Sequence, residues 1–267
     1  MDMNCVNLHQ IQRRFSLIIM KNFIAKLIQK TGYEISRLPE KSSHPANEYF
    51  QLQRFLSGIK QPVIFDVGAH VGKMTKRYRN IFPDAEIYAF EPIPECFNQI
   101  RELSKSDGKI HIYQTALSNQ SGDKDFYIYK NSASSSLLLS TEEGRKKWGI
   151  GALEIQSQIT VQCNTLDGFC DTNNIDKIHL LKLDIQGAEF EVLTGAEGLL
   201  RSGSVDIIFT EISILKSYTN QGGFHEIIST LNEHGFELYN IYKAIRREGR
   251  LMEIDVMFIR SDLIQYH

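Results

Sequence analysis

VIFDVGAHVG, residues 63–72, and YAFEP, residues 88–92, decide the fold between them. Each is an apolar run that stops at an acid beside a turn, the pattern of buried parallel strands whose carboxyl ends face a ligand. Gly68 lets the chain leave the first strand sharply and brings bare backbone close to a ligand, while Gly72 lets the next helix pack tightly. Glu91, at the tip of the second strand, is placed to accept hydrogen bonds from both hydroxyls of a ribose. The glycines do not form the Gly-x-Gly-x-x-Gly of a dinucleotide site, and His70 stands between them. Asp66, just before the turn, would repel a phosphate and accept from an ammonium group. A ribose, a cationic amino-acid tail and no phosphate describe S-adenosylmethionine.

A chain of 267 residues, 42% hydrophobic, suits one α/β domain with an N-terminal extension. Its net charge is −2, with lysines and arginines scattered among carboxylates, which leaves no electrostatic footprint for nucleic acid and favours a small-molecule or glycan substrate. Cys5, Cys96, Cys163 and Cys170 form no Cys-x-x-Cys pair and read as free thiols of a reducing, cytoplasmic compartment, without zinc. Residues 15–28 are apolar but interrupted by Lys21 and Lys26, too short to span a bilayer, and no cleavage site follows. They predict an amphipathic helix in a segment, residues 1–37, whose net charge is +4. Such a helix could rest through residues 11–30 on an anionic membrane surface, or pack on its own domain or on a second copy of the chain.

Beyond a loop at Pro39 and Pro45 and a short helix near 47–58, strand and helix patterns alternate, so a parallel sheet is expected. Strands are predicted at 62–66, 86–90 and 110–116, then at LLKLD (180–184), DIIFTE (206–211), 236–243 and 253–260, the last two as a closing antiparallel hairpin. One helix is predicted to carry Val192, Ala196, Leu199 and Leu200, and another Phe224, Ile227, Ile228 and Leu231. Residues 117–164 interrupt the alternation and read as an inserted hairpin with a mobile, serine-rich loop at 132–136 that closes over the ligand. Residues 1–60 are thus assigned to a helical extension and 61–267 to the main domain.

Ligands of open α/β sheets bind beyond the carboxyl ends of the strands, at the switch in strand order. Asp66, Glu91, Asp184 and Glu211 stand at such ends, and Asp255 reaches the same rim if the last strand runs antiparallel. Asp184, within LKLDIQGAE (181–189), reads as a substrate-side group, with a helix N-cap as the alternative. Glu211 reads as a second candidate, or as a plain strand-end carboxylate. His70 reads equally as a general base and as a loop residue bonded to backbone. A magnesium ion held by Asp184, Glu211 and Asp255 is one further reading of the acids. The sequence has no Gly-x-Ser-x-Gly elbow, P-loop or His-Glu-x-x-His helix.

FDVGAHVGKMT (65–75), FEPIPECF (90–97), TALSNQSG (115–122), SSSLL (134–138), NTLDGF (164–169), LLKLDIQGAEFEVLTGA (180–196) and LMEIDVMFIR (251–260) together resemble the FkbM family of S-adenosylmethionine-dependent methyltransferases. The resemblance implies a class I methyltransferase fold, Rossmann-like, with a seven-stranded, mostly parallel sheet. It further implies that Asp66, Gly68 and Gly72 face the methionine moiety, Glu91 the ribose, Ala116 and Leu117 the adenine edge, and that Asp184 lies near the sulfonium and the acceptor. O-methylation of a carbohydrate or secondary metabolite is the activity expected from it. A cofactor-binding subunit without turnover and an NAD-dependent oxidoreductase are the rival readings.

Overall fold

The computed structural model describes residues 47–149 and 151–264, so the predicted amphipathic helix and its membrane contact lie outside the described residues. Among the described residues no helix is long and apolar enough to cross a membrane. Helix α1 (Glu48–Leu56) opens on Asn47, whose side chain accepts from the Tyr49 amide at 2.9 Å. Strand β1 (Val63–Val67), α2 (Lys73–Ile81), β2 (Glu86–Phe90), α3 (Pro94–Ser106) and β3 (Ile110–Tyr113) then alternate. The insertion supplies β4 (Ala116–Leu117), β5 (Gly122–Tyr129), α4 (Glu142–Trp148) and β6 (Ile155–Asn164). The main alternation resumes with α5 (Leu166–Asn173), β7 (Ile178–Leu183), α6 (Glu189–Thr194), α7 (Glu197–Arg201), β8 (Val205–Ser213) and α8 (Phe224–Glu233). β9 (Phe236–Arg247) and β10 (Arg250–Arg260) end it.

Seven strands form one sheet in the order β3-β2-β1-β7-β8-β10-β9. β1 pairs parallel with both β2 and β7, and β7 pairs parallel with β8, while β10 runs antiparallel to β8, as the sequence predicted. Numbered within the sheet, the strand order is 3-2-1-4-5-7-6, so the direction of winding reverses between β1 and β7. Their carboxyl ends are therefore the crevice of this fold.

Both strands at that crevice are nearly all apolar because both faces are covered. Ile64, Ile87, Leu180, Ile207 and Met257 pack with Leu52 and Leu56 of α1 and Tyr78 of α2. Helix α1 thus belongs to the packed unit, which begins before residue 60. Aromatic rings from the sheet meet Phe169 of α5, with Phe90 and Tyr113 each 4.8 Å from it edge-on, a geometry worth roughly 0.5–1.5 kcal/mol per pair beyond burial.

Three local expectations needed revision. The strand foreseen at 110–116 breaks after Tyr113, and Ala116–Leu117 joins a second, three-stranded sheet of order β4-β6-β5, where β5 and β6 form the foreseen antiparallel pair. Helix α5 was not foreseen; its short apolar set, capped by Thr165 at the Gly168 amide, returns the chain from the second sheet to the first. The helix foreseen from 192 to 200 is two, α6 and α7, divided at Gly195, where the Ser118 backbone approaches so closely that a Cβ would lie 2.2 Å from its carbonyl oxygen.

Candidate functional site

The turns that follow β1 and β7 touch. Gly68, at φ +77°, would bring a Cβ within 2.1 Å of the Asp184 carbonyl oxygen, so no side chain can stand there. Gly72, also at φ +77°, faces Ile100 of α3 instead, where a Cβ would be 2.7 Å away. It packs α2 against α3 and does not line the crevice. His70 and Gln186, one in each turn, adopt left-handed conformations at φ 49° and 57°, a strain that concentrates at functional sites.

Between the turns lies a cleft. Gly68, His70, Glu91, Ala116, Leu117 and Asp184 line it, bringing together six of the residues singled out in the sequence. Phe90, Ile93, Phe126 and Leu137 give it apolar walls, the last two supplied by the insertion. Their role was hidden in the sequence because they meet the site only through the second sheet. An apolar slot with a carboxylate at each of two edges suits a nucleoside with a cationic tail.

Glu91 is buried, and its two carboxylate oxygens accept from the amides of His70 and Ile93, both at 2.8 Å. Burial pushes its carboxyl up to about 7, although these two bonds pull the other way. The two bonds fix the carboxylate in the cleft wall. The His70 ring is fixed by a bond from Nε2 to the Ser132 hydroxyl at 2.9 Å, and burial lowers its pKa, with Asp184 opposing.

The serine-rich bend is docked over the cleft. Ser132, Ala133 and Ser135 line it, the Ser136 hydroxyl donates to the Gln186 carbonyl at 2.8 Å, and the Tyr218 hydroxyl donates to that of Ser134 at 3.1 Å. Amide hydrogen exchange in residues 131–138 is expected to slow on addition of S-adenosylhomocysteine, since a ligand in the cleft would add contacts beneath these few bonds. Equal protection with and without the nucleoside would show that the bend is a fixed wall.

Asp66 departs from its expected role. It is fully buried, accepts from the Thr75 hydroxyl at 2.6 Å and pairs with Lys182 at 3.0 Å, and it does not line the cleft. A lysine of the protein stands where the cofactor's ammonium was expected, because β1 and β7 place Asp66 and Lys182 directly side by side. Lys182 was missed in the sequence; the signal was a charged residue inside the otherwise apolar LLKLD.

Asp184 is half-exposed on the cleft wall and does not cap a helix, since α6 begins after Ala188. Glu189 instead turns back to accept from the Ile185 amide at 3.0 Å, and burial pushes its carboxyl up to about 7. The Gln186 amide donates to Asp184 at 3.3 Å and to Glu211 at 2.8 Å, which links cleft to rim. Glu211 lies opposite Asp255 across the β8–β10 pair, and Glu253 is two residues from Asp255 on the same strand face. Glu211, Glu253 and Asp255 therefore come within 4.8 Å of one another, whereas Asp184, grouped with Glu211 and Asp255 from sequence, is outside this trio and 3.7 Å from Lys182. Asp255 pairs with Lys243 at 3.6 Å, and burial pushes its carboxyl up to about 6 despite that cation.

Burial first, then the bond to Glu253 and the charge of Asp184, hold the Glu211 carboxyl well above its ordinary range. A carboxyl raised on folding binds its proton more tightly in the native state, so its contribution to stability is present below the unfolded value of 4.5 and lost as pH rises through the folded one. Glu211→Gln is therefore expected to raise the melting temperature of the ligand-free protein at pH 7.5 by about 2–6 °C and to flatten its decline as pH rises above the ordinary carboxyl range. A lowered melting temperature would mean that the charge itself is structural.

The family model for the methyltransferase FkbM domain matches residues 66–238. The 2-O-methyltransferase NoeI of Sinorhizobium fredii is 24% identical over 184 residues, covering 64% of this chain and 71% of the relative. The hexuronic acid methyltransferase AglP of Haloferax volcanii is 28% identical over 156 residues, covering 56% of this chain and 55% of the relative. Among solved structures, magnesium protoporphyrin IX methyltransferase from Synechocystis PCC 6803 with bound SAM matches at 10% identity and a TM-score of 0.43, over 84% of this chain and 87% of that one. With most of the domain, from the acid of β1 to the start of β9, inside the family model, the chain belongs to the FkbM family of S-adenosylmethionine-dependent methyltransferases.

Proposed function

We propose that the protein methylates a hydroxyl group of a carbohydrate or secondary metabolite, with Asp184 as the group that takes the proton. One observation carries this reading: Asp184 is both part of the cleft wall and the start of a polar path, through Gln186, to Glu211 at the rim. S-adenosylmethionine, when bound, supplies a methyl group made electrophilic by its sulfonium. The protein's own task is then to orient an oxygen and remove its proton. Glu91 holds the ribose hydroxyls, and Ala116 and Leu117 flank the base. Asp184 accepts the hydroxyl proton, and Glu211, with Glu253 and Asp255, holds neighbouring hydroxyls of the acceptor. A sugar ring, with several hydroxyls on one face, answers such a row of acceptors, and the names of the two relatives support an O-linked, sugar-type acceptor.

Incubation with methyl-labelled S-adenosylmethionine, a panel of neutral glycosides and hexuronates, and fractionated cell extract tests the reading. Label is expected on oxygen in a glycoside or small metabolite; label confined to nitrogen or carbon would overturn it. Magnesium, with oxygen ligands from Glu211, Glu253 and Asp255, is a second reading favoured by their mutual approach. It predicts loss of turnover in chelator and recovery on adding the ion. Unchanged turnover in chelator would leave proton removal to Asp184 alone.

Glu91→Ala is expected to weaken S-adenosylhomocysteine binding by about 1–3 kcal/mol, the cost of losing charged hydrogen bonds to the ribose. Calorimetry with unchanged affinity would remove Glu91 from the site.

A further inference from the structure

Lys182 joins the two halves of the crevice. Its side chain is 5% exposed, beside a fully buried Asp66 carboxylate at 3.0 Å. From there Nζ donates to the carbonyls of Gly68 at 3.2 Å and Val67 at 3.4 Å, and it lies 3.7 Å from the Asp184 carboxylate. Packing alone does not require a cation here. An apolar side chain in β7 and a neutral one in β1 would avoid the desolvation of two charges, which often makes such pairs no more stabilising than hydrophobic replacements. Burial would favour the neutral amine, but Asp66 and then Asp184 outweigh it and hold the ammonium form. What the pair achieves is geometric: one ammonium spans the backbone that lines the cleft and the carboxylate that faces it.

We propose that Lys182 is a positioning residue of the methyl-transfer site. Seated on Asp66, it holds the Gly68 carbonyl and the Asp184 carboxylate at the cleft wall, so that Asp184 is presented to the sulfonium of the bound cofactor. The proposal rests on the methyltransferase reading and adds a division of labour to it: Asp66 carries Lys182, and Lys182 carries Asp184.

Calorimetry with two nucleosides tests this without an acceptor. S-adenosylmethionine carries a positive sulfonium, whereas S-adenosylhomocysteine carries a neutral thioether in its place. The double variant Asp66→Asn/Lys182→Met removes one charge of each sign, so the net field at the cleft changes little while Asp184 loses its support. It is expected to lose about tenfold in affinity for S-adenosylmethionine, the scale of a hydrogen bond to a charged group, and less than about twofold for S-adenosylhomocysteine. Asp184→Asn should show the same selective loss, and the triple variant should lose no more than Asp184→Asn alone. Asp66→Asn/Lys182→Leu serves the same purpose should the methionine variant fail to fold. Equal weakening of both nucleosides, or losses that add in the triple variant, would overturn the role of Lys182 while leaving the methyltransferase reading intact. A wild-type protein that binds neither nucleoside would overturn that reading and the proposal with it.

Discussion

Asp184→Asn is expected to lower turnover by about 10²–10⁴, the range typical of a lost general base. Asparagine keeps the volume of the carboxylate and can still meet Gln186, but it cannot take a proton. The fold should survive, because Asp184 is half-exposed and caps no helix. Affinity for S-adenosylhomocysteine should change little, since that nucleoside lacks the sulfonium charge. Methyl-transfer rates at saturating cofactor and acceptor give the check, together with calorimetry on the same preparation. Turnover within about threefold of wild type would remove Asp184 from proton transfer and leave Glu211 as the candidate, reached from the cleft through Gln186.

Lys182→Met is expected to cost about 3–5 kcal/mol of stability, because it leaves the fully buried Asp66 carboxylate without its cation. Against a typical total of roughly 5–15 kcal/mol, that is enough to unfold a marginal domain at moderate temperature. Adding Asp66→Asn should restore most of the loss, since an amide can still meet the Thr75 hydroxyl and carries no charge to strand. Urea unfolding of the two variants beside wild type measures both quantities. A single variant within about 1 kcal/mol of wild type would mean that the pair contributes little as charge. The same buried lysine that costs stability when its partner is stranded is the one proposed to hold Asp184, so stability and cofactor selectivity should separate in the double variant.

Part of the site was legible because it follows from local pattern. An apolar strand ending in a glycine turn places backbone at the crevice wherever the sheet is open and parallel, and Gly68, Glu91 and Asp184 were read from that alone. Ala116 and Leu117 were named through resemblance and line the cleft for a reason the local pattern did not contain. The chain breaks after Tyr113 and changes sheets, which turns those two residues into the cleft wall. Gly72 packs against Ile100 and does not line the cleft.

Sequence by itself determined the alternation of strands and helices and the acids at the strand ends. Those properties depend on periodicity and on residues adjacent in the chain. Only the tertiary structure decided which charges face one another. Asp66 and Lys182 are 116 residues apart and meet because β1 and β7 pair in one register. Glu211 meets Asp255 and Glu253 because β10 runs antiparallel to β8. A one-residue slip in either pairing would turn these side chains to the opposite face, so the electrostatics of the site is a property of register, which no local pattern encodes.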